Sequence, residues 1–177
     1  IASDVEGILH WDMSTMMPSN SRQNRANQLA FIANLKHSLL SDPSVTELIS
    51  NIDISQLSKN DLTNFKEMQR EYVLLSSLPS DLVEAISKTS ALCEGKWQEA
   101  KKNCDFSIVK SSLNELINLS KQESEILSEK LNCSPYEALI QKYEPYSNVD
   151  HITNVFQDLE IFLLSSIDKI IEKQKKE

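Results

Sequence analysis

The run GILHWDMSTMMPSNSRQNRANQLA, residues 7–30, sets a Trp-Asp pair and a Met-Met-Pro break between two segments of helical spacing. On its far side Leu29 opens a series that continues at Ile32, Leu35 and Leu39, the three- and four-residue steps of one amphipathic helix face. Proline lacks an amide donor and drives the residue before it out of the α region, so Pro18 marks a corner between two helices. Trp11 and the methionines have the character of core. Asp12 does not, and Arg22 and Arg25 follow it. A carboxylate in a cleft can act as a general base, whereas one beside a core is more commonly compensated by a guanidinium. The expectation is structural: Trp11 fills the core while Asp12 pairs with Arg22 or Arg25 across the Pro18 turn.

Outward from this corner, nearly every stretch repeats the helical period. Leu62, Phe65, Met68, Tyr72 and Leu75 make one stripe, and Ile86, Cys93, Trp97, Ala100 and Cys104 another. Phe106, Val109, Leu113, Leu116 and Leu127 mark a third face, and Ile152, Val155, Phe156, Leu159, Leu163, Ile167 and Ile170 a last. Local punctuation agrees. Asp42 precedes Pro43, and Ser134 precedes Pro135, each a capping side chain before a proline suited to the first helical position. Asp61 follows Ser58 as an acidic first turn, Leu78-Pro79 ends one helix before the next, and Asp105 and Asn148 stand where they can cap helices beginning at Phe106 and after Asn148. The predicted fold class is all-α: an antiparallel bundle of about seven or eight helices with short connections. Residues 1–177 read as a single all-helical domain.

Composition excludes several classes of function. The chain of 177 residues carries a net charge of −8, against the basic footprint of a nucleic-acid binder. Only Gly7 and Gly95 occur, too few for a phosphate-cradling loop or a turn-rich sheet. No apolar run approaches the roughly 18 residues of a membrane span. Cys93, Cys104 and Cys133 lack CxxC spacing and read as small buried hydrophobes of a reducing compartment, which sets a cytoplasmic expectation.

Chemistry is thinly represented. His10, His37 and His151 stand apart, with no HExxH pair that could place two imidazoles on one helix face around a metal. Glu6 and His10 lie one turn apart and read as an ordinary helical pair. No serine sits in a GxSxG elbow, and Cys93 and Cys104 lie on apolar faces, unsuited to a reactive thiolate. The residues therefore nominate no catalytic and no metal-binding side chain.

Several segments, taken in order, resemble the N-terminal region of the carboxypeptidase Taq family of zinc metallocarboxypeptidases. A WDxxTxMP-like segment (Trp11, Asp12, Thr15, Met17, Pro18) precedes an RxxQLA-like helix (Arg25, Gln28, Leu29, Ala30). NFKEMQREY, LPSDLVEAIS, KWQEAKKNCDF and SPYEALIQKYEP continue the similarity across the chain. One departure shows: a glycine typically follows the family's YEP, and Tyr146 stands there instead. The resemblance implies a larger helical metallopeptidase with a deep groove, removing residues from peptide C-termini. It further implies a zinc-type metal held by HExxH and a downstream glutamate, with the motif's glutamate as general base. This sequence contains none of those elements, so none can be carried over. Trp11, Asp12, Thr15, Pro18, Arg22, Arg25 and Gln28 are then a structural motif, a corner in a wall of that enzyme.

On this basis the chain is expected to be a silent N-terminal piece of a zinc metallocarboxypeptidase, with peptide substrate and zinc belonging to the full-length enzyme. The alternatives are a stand-alone helical interaction module and one chain of a split enzyme. The consecutive Ile161, Phe162, Leu163 and Leu164 cannot all lie on one stripe. Some of them should face away from the local core, and a homodimer through the last helix is expected, as the resemblance to dimeric enzymes also implies.

Overall fold

A computed structural model describes residues 1–175. Eight α-helices follow in order: α1 (Ala2–Thr15), α2 (Arg22–Leu40), α3 (Pro43–Ser50), α4 (Lys59–Ser76), α5 (Ser80–Asn103), α6 (Ser107–Leu131), α7 (Pro135–Ile140) and α8 (Val149–Gln174). Short 3-10 turns at Ser19–Ser21 and Ile54–Gln56 complete the secondary structure, and no strand occurs among the described residues.

The caps explain the boundaries. The Asp42 side chain accepts from the Ser44 amide at 2.8 Å, ahead of Pro43 in the first turn of α3. The Ser58 hydroxyl accepts from the Asp61 amide and starts α4. Ser134 and Glu137 form a reciprocal capping box on α7, and Asn148 accepts from the His151 amide on α8. One boundary differs from the sequence reading. α6 begins at Ser107, because Phe106 occupies the cap position and Asp105 accepts from the Ser107 amide at 2.9 Å.

Helix α5 is the hub, packed against α2 on one side and α6 on the other. Its contact with α2 centres on two alanines and a leucine: Ala26, Leu29 and Ala91 are buried together, with Leu9, Met13 and Leu92 around them. Buried Gly95 lies under the Arg22 stem, where an added Cβ would come within 2.6 Å of Arg22 Cδ. A second cluster, Leu78, Leu82, Leu127 and Ala138, ties the start of α5 to α6 and α7. A third, Cys93, Ala100 and Val109, joins α5 to α6 further along. Buried His37 bridges α2 to the end of α4, its ring Nε2 lying 2.7 Å from the Leu78 carbonyl oxygen, an acceptor.

The structure corrects several apolar assignments. Trp11 is 62% exposed and Met16 71%, so neither fills the core. α1 meets α2 through Leu9 and Met13, and Trp11 lies two residues, more than half a turn, around from Leu9. Cys104 is exposed rather than buried, because it ends α5 in a left-handed conformation (φ 52) that turns it off the helix face. Leu39, Met68, Trp97 and Phe106 are also exposed members of their stripes. In α8 no residue is buried at all.

Candidate functional site

The corner of residues 7–30 is held by Arg25. Its Nη2 lies 2.5 Å from Asp12 Oδ2, its Nη1 donates to the Leu9 carbonyl, and its Nε donates to Gln28 Oε1 at 2.9 Å. The guanidinium thus clamps the penultimate turn of α1 onto α2 while Pro18, with extended backbone, redirects the chain between them. Of the two arginines expected to meet Asp12, Arg25 does so; Arg22 lies across Gly95 toward Glu99, at 3.8 Å. Thr15 donates back to the Trp11 carbonyl at 2.7 Å, the i−4 bond a hydroxyl makes near a helix end. The expected neutralisation of Asp12 is present, although Trp11 does not cover it.

Two hollows flank α5. Between α5 and α6 runs an apolar groove of about 700 Å³, lined by Cys93, Trp97, Ala100, Phe106, Val109 and Leu116. Facing α1 is a cavity of about 340 Å³ in which Glu6, His10, Glu94, Glu123 and Lys142 surround an apolar floor. Its charges are largely compensated: Lys36 holds Glu6 and Lys142 holds buried Glu123, each at 2.8 Å. Glu6 is therefore committed to Lys36 rather than paired with His10. No group of three or more His, Cys, Asp or Glu close enough to hold a metal ion occurs among the described residues. His37 is spent on the Leu78 carbonyl, while His10 and His151 lie exposed on different helices. These residues do not fit the zinc that the family resemblance implies.

Sequence reasoning missed a cluster at the α7–α8 connection. Tyr146 has φ 66, the left-handed region that favours glycine. Its amide donates to Gln141 Oε1 at 2.9 Å and its hydroxyl to Glu67 Oε1 at 2.8 Å, while Arg70 Nε donates to Glu67 Oε2 at 2.9 Å. The Tyr146 phenol and then Arg70 hold the Glu67 carboxyl below its usual range, and the same contact pushes the Tyr146 hydroxyl up. The only signal in the sequence was a tyrosine where the family has glycine.

A sequence profile described as carboxypeptidase Taq (M32) metallopeptidase matches residues 1–177. The chain belongs to this family. Among curated relatives, thermostable carboxypeptidase 1 of Pyrococcus furiosus is 27% identical over 172 residues, 97% of this chain but 34% of that protein. Thermostable carboxypeptidase 1 of Thermus thermophilus is 26% identical over 186 residues, 98% of this chain and 36% of its own length. The structure of Trypanosoma cruzi metallocarboxypeptidase 1 superposes with a TM-score of 0.78 at 26% identity, covering 98% of this chain and 35% of that one. The chain spans about a third of the length of the relatives it matches.

Among the described residues no helix is long and apolar enough to cross a membrane.

Proposed function

We propose that residues 1–177 act as a single all-helical unit, the N-terminal wall of a zinc-dependent metallocarboxypeptidase that removes C-terminal residues from peptides in the cytoplasm. The observation that carries this reading is the match to M32 carboxypeptidases along the whole chain, over about a third of their length. In this reading the zinc ligands and the general base are supplied by polypeptide outside these residues, and the wall contributes shape and anchorage. A hydrolytic zinc needs about three protein ligands and a water position, a set the described residues do not assemble.

The test is to compare the isolated chain with the natural gene product. The isolated chain should bind no zinc in stoichiometric amount and release no amino acid from N-blocked peptides. The natural product should have a mass well above 20.1 kDa and show chelator-sensitive release of C-terminal residues. One tightly held zinc per isolated chain with peptidase activity would overturn the wall reading. A natural product of 20.1 kDa without a zinc-bearing second chain would leave the helical interaction module in its place.

A further inference from the structure

The cavity of about 340 Å³ facing α1 lies at the small end of the range for small-molecule pockets, and its lining is divided by chemistry. Met13 of α1, Leu75 near the end of α4, and Val83 and Ile86 of α5 supply hydrocarbon. Ser87, Ser90 and Glu94 continue along α5 at steps of three and four residues, on the same face. One helix face thus passes from apolar to polar within the cavity.

The carboxylates around it differ in how they are satisfied. Glu6 is held by Lys36 at 2.8 Å. Glu123 is only 5% exposed and accepts from Lys142 Nζ at Oε1, while its Oε2 has no hydrogen-bond partner among the described residues. Glu94 forms no ion pair among the described residues, and its Oε1 receives only the Gln98 side-chain amide, at a long 3.4 Å. The cavity therefore keeps one uncompensated negative charge, at Glu94, and one open acceptor on a buried carboxylate. An anion would be repelled by such a lining. A neutral apolar occupant would strip water from both carboxylates and return no hydrogen bond.

We propose that this cavity is a binding site for a small aliphatic ammonium ion, with its charged head at Glu94 and Ser90 and its hydrocarbon stem along Ile86, Val83 and Met13. The head donates to the Glu94 carboxylate and the Ser90 hydroxyl oxygen, and the stem takes up the apolar floor. Because Lys36 and Lys142 already answer Glu6 and Glu123, a single positive charge balances the lining. A bare metal ion is a poor occupant, since no group of three or more ligating side chains gathers among the described residues. The site stands independently of any peptidase activity.

The test is a titration of the 177-residue chain with n-hexylammonium chloride, followed through the methyl resonances of Met13 and Ile86, with 1-hexanol and sodium hexanoate as matched controls. Hexylammonium should saturate at a concentration at least about tenfold lower than hexanol, and hexanoate should not bind. Glu94→Gln should weaken hexylammonium at least about tenfold with unchanged helical circular dichroism, leave hexanol unaffected, and abolish the weakening that added salt causes in the parent. The natural gene product should give the same methyl shifts. Equal affinity for hexanol and hexylammonium would overturn the proposal, as would undiminished binding in Glu94→Gln. Methyls of Met13 and Ile86 that do not respond, in the 177-residue chain or in the natural product, would equally overturn it.

Discussion

Arg25 shows how much of a fold one side chain can organise. Its side chain is 13% exposed and its guanidinium is divided among the Leu9 carbonyl, Asp12 and Gln28. Removing Asp12 leaves a mostly covered cation with one partner fewer. Asp12→Ala should cost about 1–2 kcal/mol, seen as a lower midpoint in denaturant, with Asp12→Asn intermediate because the amide can still accept. Tyr146 carries a different signature. Because Glu67 is held low, its contribution to stability is complete above the ordinary carboxylate range and is lost as pH falls through the depressed value. Because the Tyr146 hydroxyl is pushed up, its contribution is complete below about 10 and is lost as pH rises through the raised value. Thermal melting of Tyr146→Phe against pH should therefore show a weakened acid branch and no alkaline branch from this contact. At this scale the sequence was partly legible. Asp12 announced a cationic partner because a carboxylate beside apolar residues needs one, yet the choice of Arg25 over Arg22 depended on Gly95 opening a path for the Arg22 stem. The Tyr146–Glu67 contact joins residues 79 apart and left no local trace beyond the unexpected tyrosine.

Helix boundaries were the most legible feature, because caps act within a turn and can be read from neighbouring residues. Asp42, Ser58, Ser134 and Asn148 each accept the backbone amide that their positions imply. The α6 start shifted by a residue only because Asp105 reaches past Phe106. The short α7, six residues long, depends most on its cap, since so brief a helix has little propagation to offset nucleation. Ser134→Ala should destabilise the protein by about 0.5–2 kcal/mol, and Ser134→Thr or Ser134→Asp should recover most of it in equilibrium unfolding. Which apolar stripes become buried was less legible. The stripe through Ile86, Cys93 and Ala100 meets α6, whereas the equally regular one on α8 buries no residue, and periodicity alone states only that a face is apolar.

Across the whole molecule, stability should be graded. The α2–α5 and α5–α6 contacts hold the buried clusters, while α8 lies outside them. Amide hydrogen exchange should accordingly be slowest in the central turns of α2 and α5 and fastest in α8. Uniform protection along the chain would contradict that gradient. The all-helical class was legible from period, caps and the scarcity of glycine. The chemistry was not, because the described residues gather no metal-binding group and the cavities flanking α5 arise only from packing.

The left-handed end of α5 gives the molecule a ready-made handle. Cys104 stands exposed there, whereas Cys93 is buried and Cys133 partly covered, and loss of water pushes both of their thiols up. A maleimide dye offered to the native chain would settle first on Cys104, at the mouth of the α5–α6 groove beside Trp97. One fluorophore could then report whatever enters that groove, with no engineered cysteine and no change to the hub helix that organises the rest.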